Sequence, residues 1–168
     1  MLANYVNVLG VMLDSHLNFG DHIDYVISSG AQSVFALNML KSHGMSKVEL
    51  SKVCRATLIS KLIYASPSWW GFVSNAHKAR LTSLVSKAIK WGLYDQFMPN
   101  ISEICEKADE NLFRSVMNNS EHILHQFLPP RHTHKYTLRA RPHDRQLTIA
   151  TTLQSKSFLI RMLNKDTY

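Results

Sequence analysis

At 168 residues, 45% of them hydrophobic and 18% charged, the chain has the length of a single domain and enough apolar side chains for a buried core, which excludes wholesale disorder. No apolar run reaches the ~18 residues that span a bilayer. The opening Met1 to Tyr5 has neither the basic n-region nor the small-residue cleavage site of a secretory leader, so an intracellular protein, cytoplasmic or nuclear, is expected. The net charge of +7 lies in blocks. Residues 41–90 hold nine Lys or Arg against one acid, Glu49; residues 95–121 hold six acids against two bases; residues 131–145 hold five Lys or Arg against Asp144. Such segregation favours a polyanionic partner over even solvation.

The first predicted element runs from Tyr5 to Asp14. Its β-branched and aromatic residues predict a strand, or a short hairpin with Gly10 at a bulge or close approach, and Asp14-Ser15-His16 supplies a turn. A lone strand leaves an unpaired edge, so it is expected to belong to a sheet whose other strands are missing from this chain. A helix is predicted over Asp21–Lys41. Asn18 or Gly20 can cap it, Asp21 and Asp24 suit its first turn, and Ile23, Ile27, Gly30, Val34 and Leu37 make one face. Ser46-Lys47-Val48-Glu49 has the form of a capping box. It opens a second helix that runs to Tyr64, with Leu50, Val53, Thr57 and Tyr64 on one side and Pro67 as the stop or kink. Ser68 to Phe72 is an aromatic knot expected at a buried corner.

A third helix is predicted from Asn75 to Gly92, with Leu81, Leu84, Val85 and Ala88 inward and Gly92 ending it. Helical spacing resumes at Ile101 and continues through Val116, with Asp109 a candidate cap for a second helix inside that stretch. A short helical turn is predicted at 121–128, closed by Pro129-Pro130. From Arg131 to Thr148 no apolar period survives, which predicts an extended basic arm. Phe158 to Leu163 is a short apolar element expected to fold back on the core. The fold class is therefore mainly α: a helical bundle with a short N-terminal strand or hairpin and a basic C-terminal arm. Its segments are 1–19, 20–128 and 129–168.

The chemistry-bearing motifs of hydrolases and nucleotide-binding enzymes are missing from the sequence. There is no Gly-x-Ser-x-Gly, no glycine-rich phosphate loop and no adjacent Asp-Asp pair for two-metal catalysis. His122-x-x-His125 and His132-x-His134 lack a Cys-x-x-Cys to complete a zinc site. Cys54 and Cys105 sit among apolar neighbours and read as buried thiols. No cofactor, metal or small-molecule substrate is expected. The basic blocks point instead to nucleic acid. Arg80, Lys87 and Lys90 fall within roughly 80° of arc on the third helix at 100° per residue, and Lys52 and Arg55 share a side of the second. The arm interleaves Arg131, Lys135, Arg139, Arg141 and Arg145 with Tyr136 and histidines. That mixture suits phosphate pairing with base stacking, and the arm is expected to carry more affinity than either helix stripe.

Several segments, in order, resemble one family. Val8 to Asp14 followed by Leu17 to Ile23 is similar to the stretch after the palm in LINE-type reverse transcriptases, where a strand with Leu-Gly-Val leads into the helical thumb. Leu58 to Gly71, which contains Lys61, resembles the family's thumb helix with its Tyr-Ala and tryptophan ending. Leu128-Pro129-Pro130 with Leu138 to Arg145, and then Phe158 to Leu163, resemble the C-terminal region of jockey-like elements. The likeness extends over 5–168. It implies the thumb and post-thumb part of a non-LTR retrotransposon RNA-directed DNA polymerase. The family's Asp-Asp loop, which holds Mg²⁺ in the palm, would precede Tyr5, so no catalytic, cofactor or metal residue carries over. The implied partner is an RNA or RNA/DNA template-primer duplex. Its phosphates would meet Lys52, Arg55, Lys61, Arg80, Lys87, Lys90 and the arm, with Leu9-Gly10-Val11 on the primer-grip side and the palm and fingers as a protein partner. A start Met just before that strand suggests a truncated copy or a split gene model. The alternatives are a helical protein-interaction module and an element copy without selected function.

Overall fold

In the computed structural model, which describes residues 5–131, 143–147 and 150–165, Leu9 and Gly10 take φ of 49° and 87°. Two successive positive φ values are what a tight two-residue hairpin turn requires. Tyr5–Val8 (β1) accordingly pairs antiparallel with Val11–Asp14 (β2), Val8 opposite Val11 and Tyr5 opposite Asp14. The two segments are each other's partners, and among the described residues the sheet has no further strand. Every residue of β1 is exposed, whereas β2 buries Val11. Asp14 turns the chain after β2 by accepting the backbone N–H groups of His16 and Asn18 at 2.8 and 2.7 Å. The Asn18 bond is the main reason its carboxyl titrates below the ordinary range.

The chain is mainly helical and divides into two compact units, Met1–Glu106 and Lys107–Tyr168. This division falls inside the segment expected as 20–128. In the first unit, Gly20–Ser42 (α1) buries Ile23, Val26, Gly30, Val34 and Leu37 along one face. Gly30 is the point of closest approach. A Cβ there would stand 2.7 Å from Leu84 and 3.2 Å from Leu58. Asp21 lies in the first turn of α1, but Asp24 does not serve the helix dipole. Its carboxylate is held by Arg80 and lies 3.8 Å from His77, both on Asn75–Lys90.

The capping box forms as expected. Ser46 Oγ accepts the Glu49 N–H, and Glu49 accepts in return from Ser46. Lys47–Cys54 (α2) then passes through a π-helical stretch, Arg55–Ile59, into Ser60–Ile63 (α3). Leu50, Cys54, Leu58 and Leu62 are buried, while Thr57 and Tyr64 are exposed. Leu50 and the half-buried Val53 of the expected face do pack inward, but Thr57 and Tyr64 do not, for a physical reason. A run of strict four-residue steps rotates about 40° per step in a regular α-helix, and the wider π turn takes up that drift and keeps the run facing inward. Burial pushes the Cys54 thiol up to about 11, which suits a packing residue.

The break after α3 is made by Ala65, at φ 51°, and Pro67 opens the next helical turn, Ser66–Trp69 (α4), instead of closing the previous helix. Pyrrolidine geometry fits a first helical turn, where the missing N–H costs nothing. Trp69 and Trp70 are buried edge to face with centroids 6.0 Å apart, so the aromatic corner is where the sequence placed it. Asn75–Lys90 (α5) follows, capped by Ser74 and ended by Gly92 at φ 69°. Leu93 N–H bonds to Ala88 O and Gly92 N–H to Ile89 O, which is a Schellman closure.

His22 packs edge-on to Trp69 at 5.5 Å, is buried, and has no hydrogen-bond partner at either ring nitrogen. Burial lowers its pKa from the ordinary 6.5. The folded state therefore binds this proton less readily than the unfolded state, and the stability it contributes is full above pH 6.5 and falls as pH drops below it. Replacing His22 by Phe should remove that component. Urea denaturation at about pH 7.5 and about pH 5.5 should show the wild type losing more stability between the two than His22→Phe. Equal losses would contradict the assignment.

Ile101–Asn118 (α6) is one continuous helix. Its cap is Asn100, whose side chain accepts the Glu103 N–H at 3.0 Å while Glu103 accepts the Asn100 N–H at 3.2 Å. Asp109 does not start a second helix. In the second unit it is buried and paired with Arg161 of Phe158–Leu163 (α7). Glu110 pairs with Lys165 at 2.6 Å. The apolar C-terminal element thus does fold back, onto the later part of α6. His143 sits against Phe113, its Nε2–H donates to Leu163 O at 2.8 Å, and its Nδ1 accepts the Arg145 N–H.

Candidate nucleic-acid interface

The cations proposed from sequence separate into those the fold uses and those it leaves open. On α5, Arg80 is held by Asp24, and Lys87 lies over the Trp91 ring at 4.5 Å. Lys90 alone of that stripe is exposed with neither an ion pair nor a ring contact among the described residues. Lys61 donates to the hydroxyls of Ser29 and Ser33 at 3.0 and 3.1 Å, tying α3 to α1. Of the arm, Lys135, Tyr136, Arg139 and Arg141 lie outside the described residues. Arg131 is exposed and lies 3.4 Å from Asp144. Arg145 is buried, bridges back to Arg131 in antiparallel fashion, and donates from Nη1 to Pro129 O at 3.1 Å. Arg145 is thus built into the second unit, and the segment begun at Arg131 returns beside it.

Lys52 and Arg55 are different. With Lys47 they line one side of a cleft of about 640 Å³ in the first unit. All three are exposed, and none forms an ion pair among the described residues. The opposite side is the end of α5 and the loop after it: Ile89, Leu93, Tyr94, Asp95, Gln96 and Met98. Glu49 is the acid nearest these cations on α2, and Ser46 occupies its Oε2 from both backbone and side chain. Those two bonds, with a smaller contribution from the Lys52 charge, hold the Glu49 carboxyl below its usual range. Tyr94 is buried, which raises its pKa; the Arg55 charge pulls the other way, and Cys54 and Asp95 add to the rise. The cleft therefore carries three cations against the one carboxylate of Asp95.

Lys47 was not among the residues expected from sequence. A helical wheel of α2 continued by one residue holds the signal, because Lys47, Ser51, Arg55, Val48 and Lys52 fall within about 140° of arc at 100° per residue. The role of the loop 93–98 had no such signal, since it depends on where Gly92 redirects the chain. Among the described residues no group of three His, Cys, Asp or Glu side chains could hold a metal ion. No helix among them is long and apolar enough to cross a membrane. No protein-family model, curated protein or solved structure matches the chain.

Proposed function

We propose that this chain is a non-catalytic module that holds nucleic acid by its phosphates, namely the thumb and post-thumb part of the LINE-type RNA-directed DNA polymerase that its sequence resembles. The observation that carries the reading is the convergence of Lys47, Lys52 and Arg55 on one cleft with no carboxylate among the described residues pairing them. A guanidinium offers two parallel N–H donors to one phosphate, and the ammonium groups act as point charges. Affinity arises as these cations displace condensed counterions from the RNA or RNA/DNA template-primer duplex. In this reading chemistry belongs to a palm segment carrying the Mg²⁺-binding carboxylates, and the protein works in the cytoplasm or nucleus. The basic segment around Arg131, Lys135, Arg139 and Arg141 would extend the same contact.

Fluorescence anisotropy of the full chain with an RNA/DNA duplex, repeated across a salt series, tests the reading. Each phosphate neutralised contributes about 0.9 to the log–log slope, so the cleft alone should give about two to three. A flat response would contradict it. A protein-docking module is the second reading, favoured by the hairpin, where Tyr5, Val6, Val8 and Leu9 are all exposed. Docking through that apolar edge would show shallow salt dependence.

A further inference from the structure

Phe97 is 86% exposed, although the core of the same unit lies a few residues away at Leu93 and Tyr94. Its neighbours Gln96 and Met98 both line the cleft. The loop that presents it is locally built: Asp95 Oδ1 accepts the Phe97 N–H at 3.1 Å, and Asp95 O accepts the Met98 N–H at 3.2 Å. The Asp95 carboxylate keeps its charge while bracing the turn, so Lys47, Lys52 and Arg55 leave the cleft with a net excess of two positive charges. The cleft also offers apolar surface from Ile89 and Met98 and an amide from Gln96. Its 640 Å³ lies in the range of pockets that enclose small ligands. A duplex presents a convex ridge of phosphates and has its bases stacked inside, so it can touch the rim of such a cleft but cannot fill it.

Resting on the phosphate-holding reading above, we infer that the cleft seats unpaired nucleotides of a single-stranded extension, with a base stacked on Phe97 and the flanking phosphates on Lys52 and Arg55. A cationic groove beside an exposed aromatic ring is what sequence-tolerant binding of single strands needs, because every base has a π-face. The Arg55 guanidinium is a second planar group suited to a splayed base. Along α2 the rise from Lys47 to Lys52 is about 7.5 Å, and Arg55, the first residue of the π-helical stretch, lies about 4.5 Å further on. The cations can therefore follow a strand along the helix and need not crowd one phosphate. An acidic peptide would satisfy the charges, but it would have no use for the exposed ring of Phe97, which the chain carries between the lining residues Gln96 and Met98.

The test compares three probes on the full chain by anisotropy at one salt concentration: a blunt RNA/DNA duplex, the same duplex with a short single-stranded extension, and an acidic peptide as competitor. The extended duplex should bind about tenfold tighter than the blunt one, the size of one stacked base. In Phe97→Ala the ratio of the two affinities should fall toward one, and Phe97→Tyr should restore it. Exposure of Phe97 makes both variants safe for folding. Equal affinity for blunt and extended duplexes overturns the inference and leaves duplex holding intact. Failure of both duplexes to bind overturns both readings. Displacement of the extended duplex by the peptide at comparable concentration overturns the inference in favour of an acidic protein segment.

Discussion

Trp69→Ala is expected to cost about 4 kcal/mol of unfolding free energy, the middle of the range for core aromatics cut back to Ala. Trp69 is fully buried, lies edge-on to both His22 and Trp70, and its indole N–H donates to Tyr64 O at 2.9 Å. Truncation opens a large cavity and also strips the donor from that carbonyl, which sits just before the left-handed Ala65. Urea denaturation of the wild type and the variant measures the difference. Phe97→Ala, a comparable truncation at an exposed position, should change stability by less than about 0.5 kcal/mol. A loss below about 1 kcal/mol at Trp69 would mean that this corner is not part of the core.

Arg161→Met should destabilise the second unit by about 3 kcal/mol, because it leaves the Asp109 carboxylate buried without its counter-charge. Asp109 is 1% exposed and Arg161 24% exposed. Beyond the bond they share, Asp109 Oδ1 and Arg161 Nε and Nη2 are buried without partners. Such a pair is poorly compensated for the water it has lost, so removing both charges together costs far less than removing one. The double variant Asp109→Leu/Arg161→Met should recover most of the loss. Thermal melts of the single and double variants decide the matter; a double variant as unstable as the single one would show that the bond itself stabilises α7.

What the sequence revealed and what it hid divide along sequence separation. The face of α1, the Ser46 capping box, the Gly92 stop and the Trp69–Trp70 corner were legible because each rests on residues within a few positions of one another. The π-helical stretch at Arg55–Ile59 was hidden, since the buried run Leu50, Cys54, Leu58, Leu62 reveals a period of four only once its burial is known. Asp24 and Asp109 were read as helix-end residues, and both instead pair with arginines more than fifty positions away. Local pattern has no access to such partners. The same blindness affected the candidate site. Arg80, Lys87 and Lys90 form a tidy stripe on a helical wheel, yet Asp24 and the Trp91 ring engage two of the three. Lys52 and Arg55 made a weaker pattern, and they are the pair that the loop after Gly92 turns into a cleft.

The most direct test of the proposal that the cleft holds phosphates is the salt slope of RNA/DNA duplex binding in two triple variants measured beside the wild type. Replacing Lys47, Lys52 and Arg55 by Ala should flatten the log–log slope by about two to three units, at about 0.9 per phosphate contact. Replacing Arg80, Lys87 and Lys90 should flatten it by about one, the contribution of Lys90. A larger loss from the α5 variant, or an unchanged slope in the α2 variant, would contradict the assignment of the cleft as the phosphate-holding surface.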